Sequence, residues 1–283
     1  MKFGMNLLLW TVNLPEEIMP VVKNLKEMGF DGVEVPIFDL TPEKWTAAGR
    51  RLDDLGLERT AVTVRGEEDN PISSDPKIRA NAVEQTKLTL ECTQAMGSSL
   101  LVGPLYAALG VFSGAGPTED EWKWGVESMR QMAEHAEKCG VTLALEFLNR
   151  FEIYLLNCAA DTKRFVQEVD HPNCRMMYDT FHANIEEKSF ADSIRDCKDT
   201  NVHVHISEND RSIPGSGNID WEEIFDAFLE NEYDGWMTIE AFGMALAELI
   251  AATKIWRRMY GTEEQLARDG LAFMKNEIAK RTK

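Results

Sequence analysis

Four residues with metal-binding side chains recur at nearly regular intervals in the second half of the chain. Each ends a short apolar run, and the four are Glu146, Asp179, His205 and Glu240. Successive members lie about 26 to 35 residues apart, which is close to the length of one strand–helix unit. Three carboxylates and one imidazole suit a hard or borderline divalent ion such as Mn²⁺, Mg²⁺ or Co²⁺, and a set without cysteine is unlike a structural zinc site. The spacing therefore predicts one metal site built from four consecutive strand ends.

Each of these residues taken alone has a simpler interpretation, because strand ends meet solvent and a charged side chain there is usually only exposed. The convergence of four such residues is what favours a metal site. His203 and His205 lie two positions apart in one run, so both would point to the same face. The pattern leaves open which of the two is the ligand and which is packed behind it. His135, in a helical stretch, and His171, in a loop, are interpreted as structural.

The elements that must position these residues alternate along the chain. Short apolar runs predict strands, and longer amphipathic stretches predict helices. Strands are predicted at Phe3–Leu9, Gly32–Pro36, Arg59–Val64, Leu100–Val102, Val141–Glu146, Arg175–Asp179, Val202–Ser207 and Trp236–Glu240. Helices are predicted at Pro15–Met28, Thr41–Leu55, Asp75–Met96, Thr118–Cys139, Ala159–Val169, Ile185–Lys198, Trp221–Glu230, Ala245–Tyr260 and Glu263–Lys280.

This alternation predicts an α/β fold, a closed (β/α)8 barrel. We expect a single domain over residues 1–283, with an extra helix at the C-terminus. The alternative is an open doubly wound sheet, which would carry a glycine-rich phosphate turn after its first strand. The chain instead reads LLLWT at Leu7–Thr11. In a barrel the carboxyl ends of the strands meet at one face, where catalytic groups lie, so the four candidate ligands would converge there.

The composition limits the partners that the protein could have. The chain has 283 residues, 48 of them acidic and 30 basic, and a formal net charge of −18. That balance argues against nucleic-acid binding, which needs clusters of Lys and Arg. The five cysteines form no CxxC pair, and no run is long enough for a signal peptide or a membrane span. We therefore expect a cytoplasmic protein with neither nucleic-acid nor membrane partners.

Three segments of the chain resemble the ketose 3-epimerase family, which includes the tagatose and psicose 3-epimerases. They are Leu145–Asn157 (LEFLNRFEIYLLN), Tyr178–Glu187 (YDTFHANIEE) and Glu208–Gly217 (ENDRSIPGSG). The resemblance extends over nearly the whole chain and includes Glu34 in the second strand. It implies a TIM-barrel isomerase of carbohydrate metabolism that inverts C3 of a ketose through a cis-enediolate intermediate.

The resemblance also implies roles for individual residues. The family's metal ligands fall on the same four strand-end residues, and the ion expected is Mn²⁺, with Mg²⁺ or Co²⁺ as alternatives. Glu146 and Glu240 would act as acid and base on opposite faces of C3. The family's substrate contacts fall on Glu152, His182 and Arg211. Members are often dimers or tetramers, so a homo-oligomer is expected by analogy.

The chain departs from the family pattern where the substrate would be enclosed. The family commonly has a Tyr-Ser-x-Trp stretch after strand four, but this chain reads LYAALG at Leu105–Gly110, with Tyr106 kept and the Trp absent. Leu7–Leu9 stand where the family often has aromatics, and Arg65 ends the third strand where small residues are usual. These differences predict a roomier, less aromatic pocket. Arg65 is expected in a surface ion pair or, alternatively, opposite a charged group of the substrate.

Other functions compete with C3 epimerisation. An aldose–ketose isomerase or a hydroxypyruvate-type isomerase would use the same enediolate chemistry at a neighbouring carbon. A barrel endonuclease with three zinc ions would need more histidine ligands, and an acidic surface would repel DNA. A non-catalytic sugar-binding barrel is not favoured, since both candidate proton-transfer glutamates are present. Free, phosphorylated and acidic ketoses all remain candidate substrates from the sequence alone.

Overall fold

Eight parallel strands close into a barrel in the computed structural model of the chain, which describes residues 1–282. The strands are β1 (Lys2–Asn6), β2 (Gly32–Pro36), β3 (Glu58–Val62), β4 (Leu100–Gly103), β5 (Thr142–Glu146), β6 (Cys174–Asp179), β7 (Asn201–Ile206) and β8 (Trp236–Ile239). Each strand pairs with its neighbours in chain order, and β1 pairs with β8 to close the ring. The predicted (β/α)8 barrel is confirmed.

Helices surround this barrel. They are α1 (Met19–Met28), α2 (Pro42–Asp54), α3 (Pro76–Met96), α4 (Glu119–Cys139), α5 (Ala159–Val169), α6 (Thr180–Glu186), α7 (Phe190–Cys197), α8 (Trp221–Glu230), α9 (Ala247–Thr253) and α10 (Glu263–Arg281). Helix α10 packs against α8 and β8, and its Lys275 donates to the carbonyl of Gly29 at the end of α1. It therefore completes the outer ring of helices. Within residues 1–282, no helix is long and apolar enough to cross a bilayer.

Local sequence signals explain where most of the helices begin and end. Helices α1, α3 and α4 end at Gly29, Gly97 and Gly140, which have φ of 97°, 81° and 64°, the left-handed conformation that glycine adopts without strain. Helix α4 begins with a capping box, in which Thr118 and Glu121 satisfy each other's backbone N–H groups. The boundaries predicted from these residues are correct to within a residue or two.

The first strand is shorter than predicted. It ends at Asn6, and Leu7–Leu9 form a 3-10 turn instead of extending the strand. The side chain of Asn6 accepts a hydrogen bond from the backbone N–H of Leu8 at 2.8 Å, and such local bonds compete with a strand ladder. The three leucines are buried in the turn, so their hydrophobicity misled the prediction.

Three helices in the second half of the chain also differ from the prediction. The segment after β6 forms α6, which was not predicted, because Asp179 caps the backbone N–H groups of Phe181 and His182. The predicted helix Ile185–Lys198 begins only at Phe190, where Ser189 supplies the cap. The predicted helix Ala245–Tyr260 is reduced to the seven residues of α9.

The barrel encloses many buried polar side chains. Most strands contribute at least one, and they include Asn6, Glu34, Thr60, Glu146, Asp179, His203, His205 and Thr238. Buried polar groups in proteins almost always have hydrogen-bond partners or ligands. The interior of this barrel is therefore the candidate location of a functional site.

Candidate active site

The four predicted metal ligands meet at the carboxyl ends of the strands. Glu146 and Asp179 end β5 and β6, His205 lies near the end of β7, and Glu240 directly follows β8. One ligand atom from each of the four lies within 4.8 Å of the others, and all four side chains are buried. The structure thus brings together residues that are up to 94 positions apart in the sequence.

Two atoms of this cluster are buried without a hydrogen-bond partner among the described residues. They are Oδ2 of Asp179 and Nδ1 of His205, which lie 3.4 Å apart. The same His205 nitrogen is 3.4 Å from Oε1 of Glu240 and 3.7 Å from Oε1 of Glu146. Buried polar atoms that converge without hydrogen-bond geometry are unusual in a protein interior. The carboxylate oxygens, and Nδ1 of His205 once it has lost its proton, are good ligands for a divalent ion. The donor set therefore fits a metal.

The contacts of Glu34 indicate which of the two β7 histidines faces the cluster. Its Oε1 lies 2.6 Å from Nε2 of His205, and its Oε2 lies 2.9 Å from Nε2 of His203. A carboxylate beside Nε2 keeps the proton on that nitrogen and leaves Nδ1 of His205 free to bind a metal. His203 lies beside Glu34 and is not part of the four-residue cluster, which favours His205 as the ligand.

Glu34, His203 and His205 are themselves close enough to form a second metal-binding group. The separations are hydrogen-bond lengths, however, and Glu34 also accepts from Asn6 Nδ2 at 3.0 Å and Thr60 Oγ1 at 2.8 Å. With four donors around it, this carboxylate has no lone pair left for an ion. Burial acts to raise the pKa of Glu34, but His205 and His203 outweigh it and lower the pKa well below its usual range. We interpret Glu34 as a permanent anion that orients the ligand histidine.

The two glutamates of the cluster differ in their proton affinity. Burial, together with the charge of Glu240, raises the pKa of Glu146 to about 8, although the nearby imidazole of His205 opposes this. Burial also acts to raise the pKa of Glu240, but His205 and Arg211 outweigh it and lower the pKa. Without a metal, the pair therefore holds one proton near neutral pH, and that proton lies on Glu146.

Arg211 connects the cluster to the other predicted substrate contacts. Its Nη1 donates to Oε2 of Glu240 at 2.6 Å, and its Nη2 lies 3.0 Å from Nε2 of His182 and 3.9 Å from Oε1 of Glu152. The guanidinium carbon lies 3.8 Å from the centre of the Phe181 ring, a cation–π contact. The three residues implied by the resemblance are thus neighbours, and they line one cleft with Glu146 and Glu240.

His182 lies between two donor groups at the edge of this cleft. Its Nδ1 is 2.9 Å from the backbone N of Asn149, and its Nε2 is 3.0 Å from Nη2 of Arg211 and 3.7 Å from Oε1 of Glu146. Burial and the charge of Arg211 lower the pKa of His182 well below its usual value. His182 is therefore neutral, and a neutral ring accepts at one nitrogen and donates at the other, so it can accept from only one of these two donors.

The rest of the cleft is apolar. Its wall is formed by Leu8, Phe38, Val62, Val64, Pro104, Leu109, Leu148, Phe242, Leu249, Ala252 and Thr253. Two of these residues, Phe38 and Phe242, are aromatic. Tyr106 does not line the cleft; it is fully buried and donates to the carbonyl of Leu156 at 3.1 Å. Leu249, Ala252 and Thr253 belong to α9, so this helix covers part of the mouth.

Arg65 occupies neither of the positions expected from the sequence. It is 5% exposed, and its guanidinium donates to Asp69 at 2.8 Å and to Thr63 at 3.2 Å. The predicted ion pair exists, but it is buried under the loop after β3 and not on the surface. Arg65 is also absent from the residues that line the cleft, which does not favour the alternative in which it meets a charged group of the substrate.

Comparisons with known proteins agree on one family. Residues 22–277 match the family model described as xylose isomerase-like TIM barrel. An L-ribulose 3-epimerase of Mesorhizobium japonicum is 33% identical, over 96% of this chain and 93% of the relative. A D-psicose 3-epimerase of Enterocloster bolteae is 32% identical, over 95% of this chain and 92% of the relative.

Solved structures show the same relationship. A D-allulose 3-epimerase from Methylomonas sp., in complex with D-allulose, superimposes with a TM-score of 0.92 at 27% identity, covering 98% of this chain and 97% of that one. A D-psicose 3-epimerase from Clostridium cellulolyticum, with D-tagatose, gives a TM-score of 0.91 at 31% identity, covering 99% of both chains. The similarity therefore includes the whole barrel.

Proposed function

The chain belongs to the xylose isomerase-like TIM barrel family and is an isomerase related to its ketose 3-epimerases, and from this premise we propose that it inverts C3 of a free, unphosphorylated ketose in a metal-dependent reaction. The observation that carries the proposal is the pair of buried glutamates, Glu146 and Glu240, on one four-residue cluster. A site that only bound a metal or a sugar would not need two carboxylates with opposed proton affinities.

Inversion at C3 requires one group to remove a proton and another to return one from the opposite face. In one direction Glu240 takes the C3 proton, and the electron pair of the C–H bond moves into the adjacent carbonyl to give a cis-enediolate. Glu146, which takes up a proton from water in the metal-bound protein, then donates that proton to C3 from the other face. The carbonyl re-forms, and Glu240 releases its proton to water. In the reverse direction the two glutamates exchange roles.

Glu146, Asp179, His205 and Glu240 would hold the divalent ion, for which we propose Mn²⁺, with Mg²⁺ and Co²⁺ as alternatives. When bound, such an ion supplies Lewis-acid stabilisation of the negative charge that develops on the substrate oxygens. The protein supports the site from behind, because Glu34 fixes the orientation of His205. Rigid support of this kind keeps proton carriers within reach of the reacting carbon.

Three further residues would bind the sugar hydroxyls and carbonyl. His182 lines the cleft and can form a hydrogen bond with a substrate group, and the guanidinium of Arg211 can donate to a substrate oxygen while it holds Glu240 in place. Glu152 can accept a bond from a hydroxyl group; its Oε1 already accepts from Asn149 at 2.8 Å. These contacts would hold the polar end of the ketose next to the two glutamates.

The charges of the cleft favour a neutral substrate. Among the described residues that line it, Arg211 is the single cation, and it is already engaged by Glu240. Apart from the metal ion, which the reacting oxygens of the ketose would occupy, a phosphate or carboxylate group on the sugar would meet Glu152 and no free positive charge. It would therefore lose affinity by repulsion and desolvation.

The test is an assay of the purified protein with Mn²⁺ on a panel of free and phosphorylated ketoses in D₂O. We expect inversion at C3, with deuterium incorporated at C3, on free ketoses. Exchange at C1 or C2 with formation of an aldose would instead identify the aldose–ketose or hydroxypyruvate-type isomerase. A preference for phosphorylated sugars would refute the charge argument, and a lack of turnover on the whole panel would refute the epimerase proposal.

We also propose a homo-oligomer in the cytoplasm. The oligomer is proposed by analogy with the family, and size-exclusion chromatography with light scattering tests it. The compartment is proposed because the five cysteines are all unpaired, as in reducing surroundings. Fractionation of the source cells is the corresponding measurement.

A further inference from the structure

Glu208 is a fully buried acid at the start of the loop after β7, and the mechanism above does not use it. Its Oε1 accepts from the backbone N–H groups of Asn209 at 3.0 Å and Ile219 at 3.4 Å. Its Oε2 accepts from the backbone N–H of Gly215 at 2.8 Å and from Nε1 of Trp221 at 2.9 Å. One carboxylate thus binds four donors that belong to both ends and the middle of the loop.

The loop is built closely around this carboxylate. A β-carbon added to Gly217 would lie 2.5 Å from Oε1 of Glu208 and 2.0 Å from Oδ1 of Asn209, so only glycine fits there. Oδ1 of Asn209 also accepts from the backbone N–H of Asn218 at 3.0 Å. Since the donors point inward at one anion, removal of the charge would let the whole loop from 209 to 219 relax.

Arg211 belongs to this loop, and its backbone conformation depends on it. Its φ is 61°, a left-handed value that a non-glycine residue keeps only where the surroundings enforce it. The N–H of Arg211 donates to the carbonyl of Glu208 at 2.9 Å, and the carbonyl of Arg211 accepts from the N–H of Phe242 at 3.0 Å. The first of these anchors is the backbone carbonyl of Glu208, a residue whose position is fixed by the four donors around its carboxylate.

We propose that Glu208 is a positioning residue, whose carboxylate fastens the loop after β7 so that the guanidinium of Arg211 stays on Glu240. The guanidinium has several partners that require an accurate position, including Glu240 at 2.6 Å and the Phe181 ring. A loop displaced by about 1 Å would break this geometry, and displacements of that size at a catalytic site cost about 10²-fold in rate. The inference rests on the proposed function only in that Arg211 and Glu240 act on the ketose.

The test compares Glu208→Gln with a matched control, Glu223→Gln. The glutamine at 208 keeps the shape of the side chain but places an NH₂ group where backbone donors converge. Glu223 is also a loop-fastening carboxylate, which accepts from the N–H of Ala191 at 2.9 Å and from Oγ of Ser189 at 3.1 Å, and it does not contact Arg211. We expect both variants to lower Tm, but only Glu208→Gln to lower kcat/KM, by about 10²-fold.

A double-mutant cycle separates positioning from general damage to the fold. In an Arg211→Ala background the guanidinium is gone, so Glu208→Gln should cost less than about threefold more in kcat/KM. An equal, additive cost in both backgrounds would overturn the proposal. If Glu208→Gln does not fold, Trp221→Phe, which removes one of the four donors, is tested in the same cycle, and an unchanged kcat/KM in that variant would equally overturn it.

A crystal structure of Glu208→Gln gives a readout that does not depend on turnover. We expect Arg211 Nη1 to move out of hydrogen-bond distance from Glu240. Retention of the 2.6 Å contact would refute the positioning role even if the wild-type protein proved to lack C3-epimerase activity. Failure of the proposed function and failure of this inference are therefore distinguishable.

Discussion

Replacing each of the two cluster glutamates by glutamine should abolish turnover but change the stability of the metal-free protein in opposite directions. Glu146→Gln and Glu240→Gln both remove a proton carrier, for which a loss of about 10²–10⁴-fold is typical. The structure predicts different effects on folding, because only Glu240 is held as an anion by a cation within hydrogen-bond distance.

The gain expected for Glu146→Gln follows from its pKa. The folded, metal-free protein raises the pKa of Glu146 from 4.5 to about 8, so between these values the folded state keeps a proton that the unfolded state has lost. Stability therefore falls as pH rises through this window. At pH 7 the loss is about 3 kcal/mol, from roughly 2.5 pH units at 1.36 kcal/mol each. Glutamine does not titrate and avoids this loss, whereas near pH 4 the two proteins should be equally stable.

The loss expected for Glu240→Gln follows from Arg211. Both side chains are buried, and removal of one charge leaves the guanidinium without its closest anion. Breaking a buried ion pair in this way costs about 3–5 kcal/mol. The glutamine oxygen can still accept a hydrogen bond, so we expect a value near the lower limit.

Thermal unfolding in EDTA, followed by circular dichroism at several pH values, measures both effects. At about 2–4 °C per kcal/mol for a chain of this size, the two variants should lie at least 6 °C on either side of the wild-type Tm at pH 7. A Tm of Glu146→Gln below that of the metal-free wild type at pH 7 would show that the proton is not on Glu146. More than about a tenth of wild-type turnover in either metal-loaded variant would contradict the two-base mechanism.

Three other predictions concern metal binding, Glu34 and Arg65. Mn²⁺ binding should raise Tm by mass action and release about two protons per ion at pH 7. The number of protons is measured by calorimetry in buffers of different ionisation enthalpy, and release of none would mean that the ligands are already deprotonated. Glu34→Gln should weaken Mn²⁺ binding by about 10–100-fold, and an unchanged affinity would exclude its role in orienting His205. Arg65→Ala should lower Tm, since Asp69 loses its partner, yet leave the ranking of ketoses unchanged; a changed ranking would return Arg65 to the cleft.

The four-residue cluster could be predicted from the sequence because barrel topology determines where the strand ends meet. Once Glu146, Asp179, His205 and Glu240 are placed at the ends of consecutive strands, parallel closure brings them to one face regardless of the lengths of the intervening helices. The strands need only be located to within a residue or two. That tolerance explains why errors such as the early end of β1 did not affect the predicted site.

Contacts between distant strands could not be predicted in the same way. Glu34 on β2 binds His203 and His205 on β7, and no spacing in the sequence connects residues on opposite sides of a barrel. The available signal was a single acid inside the apolar run Gly32–Pro36, which also fits an exposed strand end. Helix α6 was missed for a related reason, because the capping function of Asp179 is only visible once its side chain is located.

The charge balance of the barrel interior explains why one cluster can serve both as a metal site and as an acid–base pair. The interior holds four carboxylates, those of Glu34, Glu146, Asp179 and Glu240, and two positive charges, those of Arg211 and His205. His205 is charged because Glu240 and Glu34 outweigh burial and raise its pKa well above the usual value. That leaves an excess of two negative charges, and a proton on Glu146 reduces it to one. A divalent ion would displace this proton and the one on Nδ1 of His205, so the net charge would again be minus one. Because the ion replaces two protons at constant charge, the buried carboxylates are already arranged for it, and little reorganisation is needed when it binds.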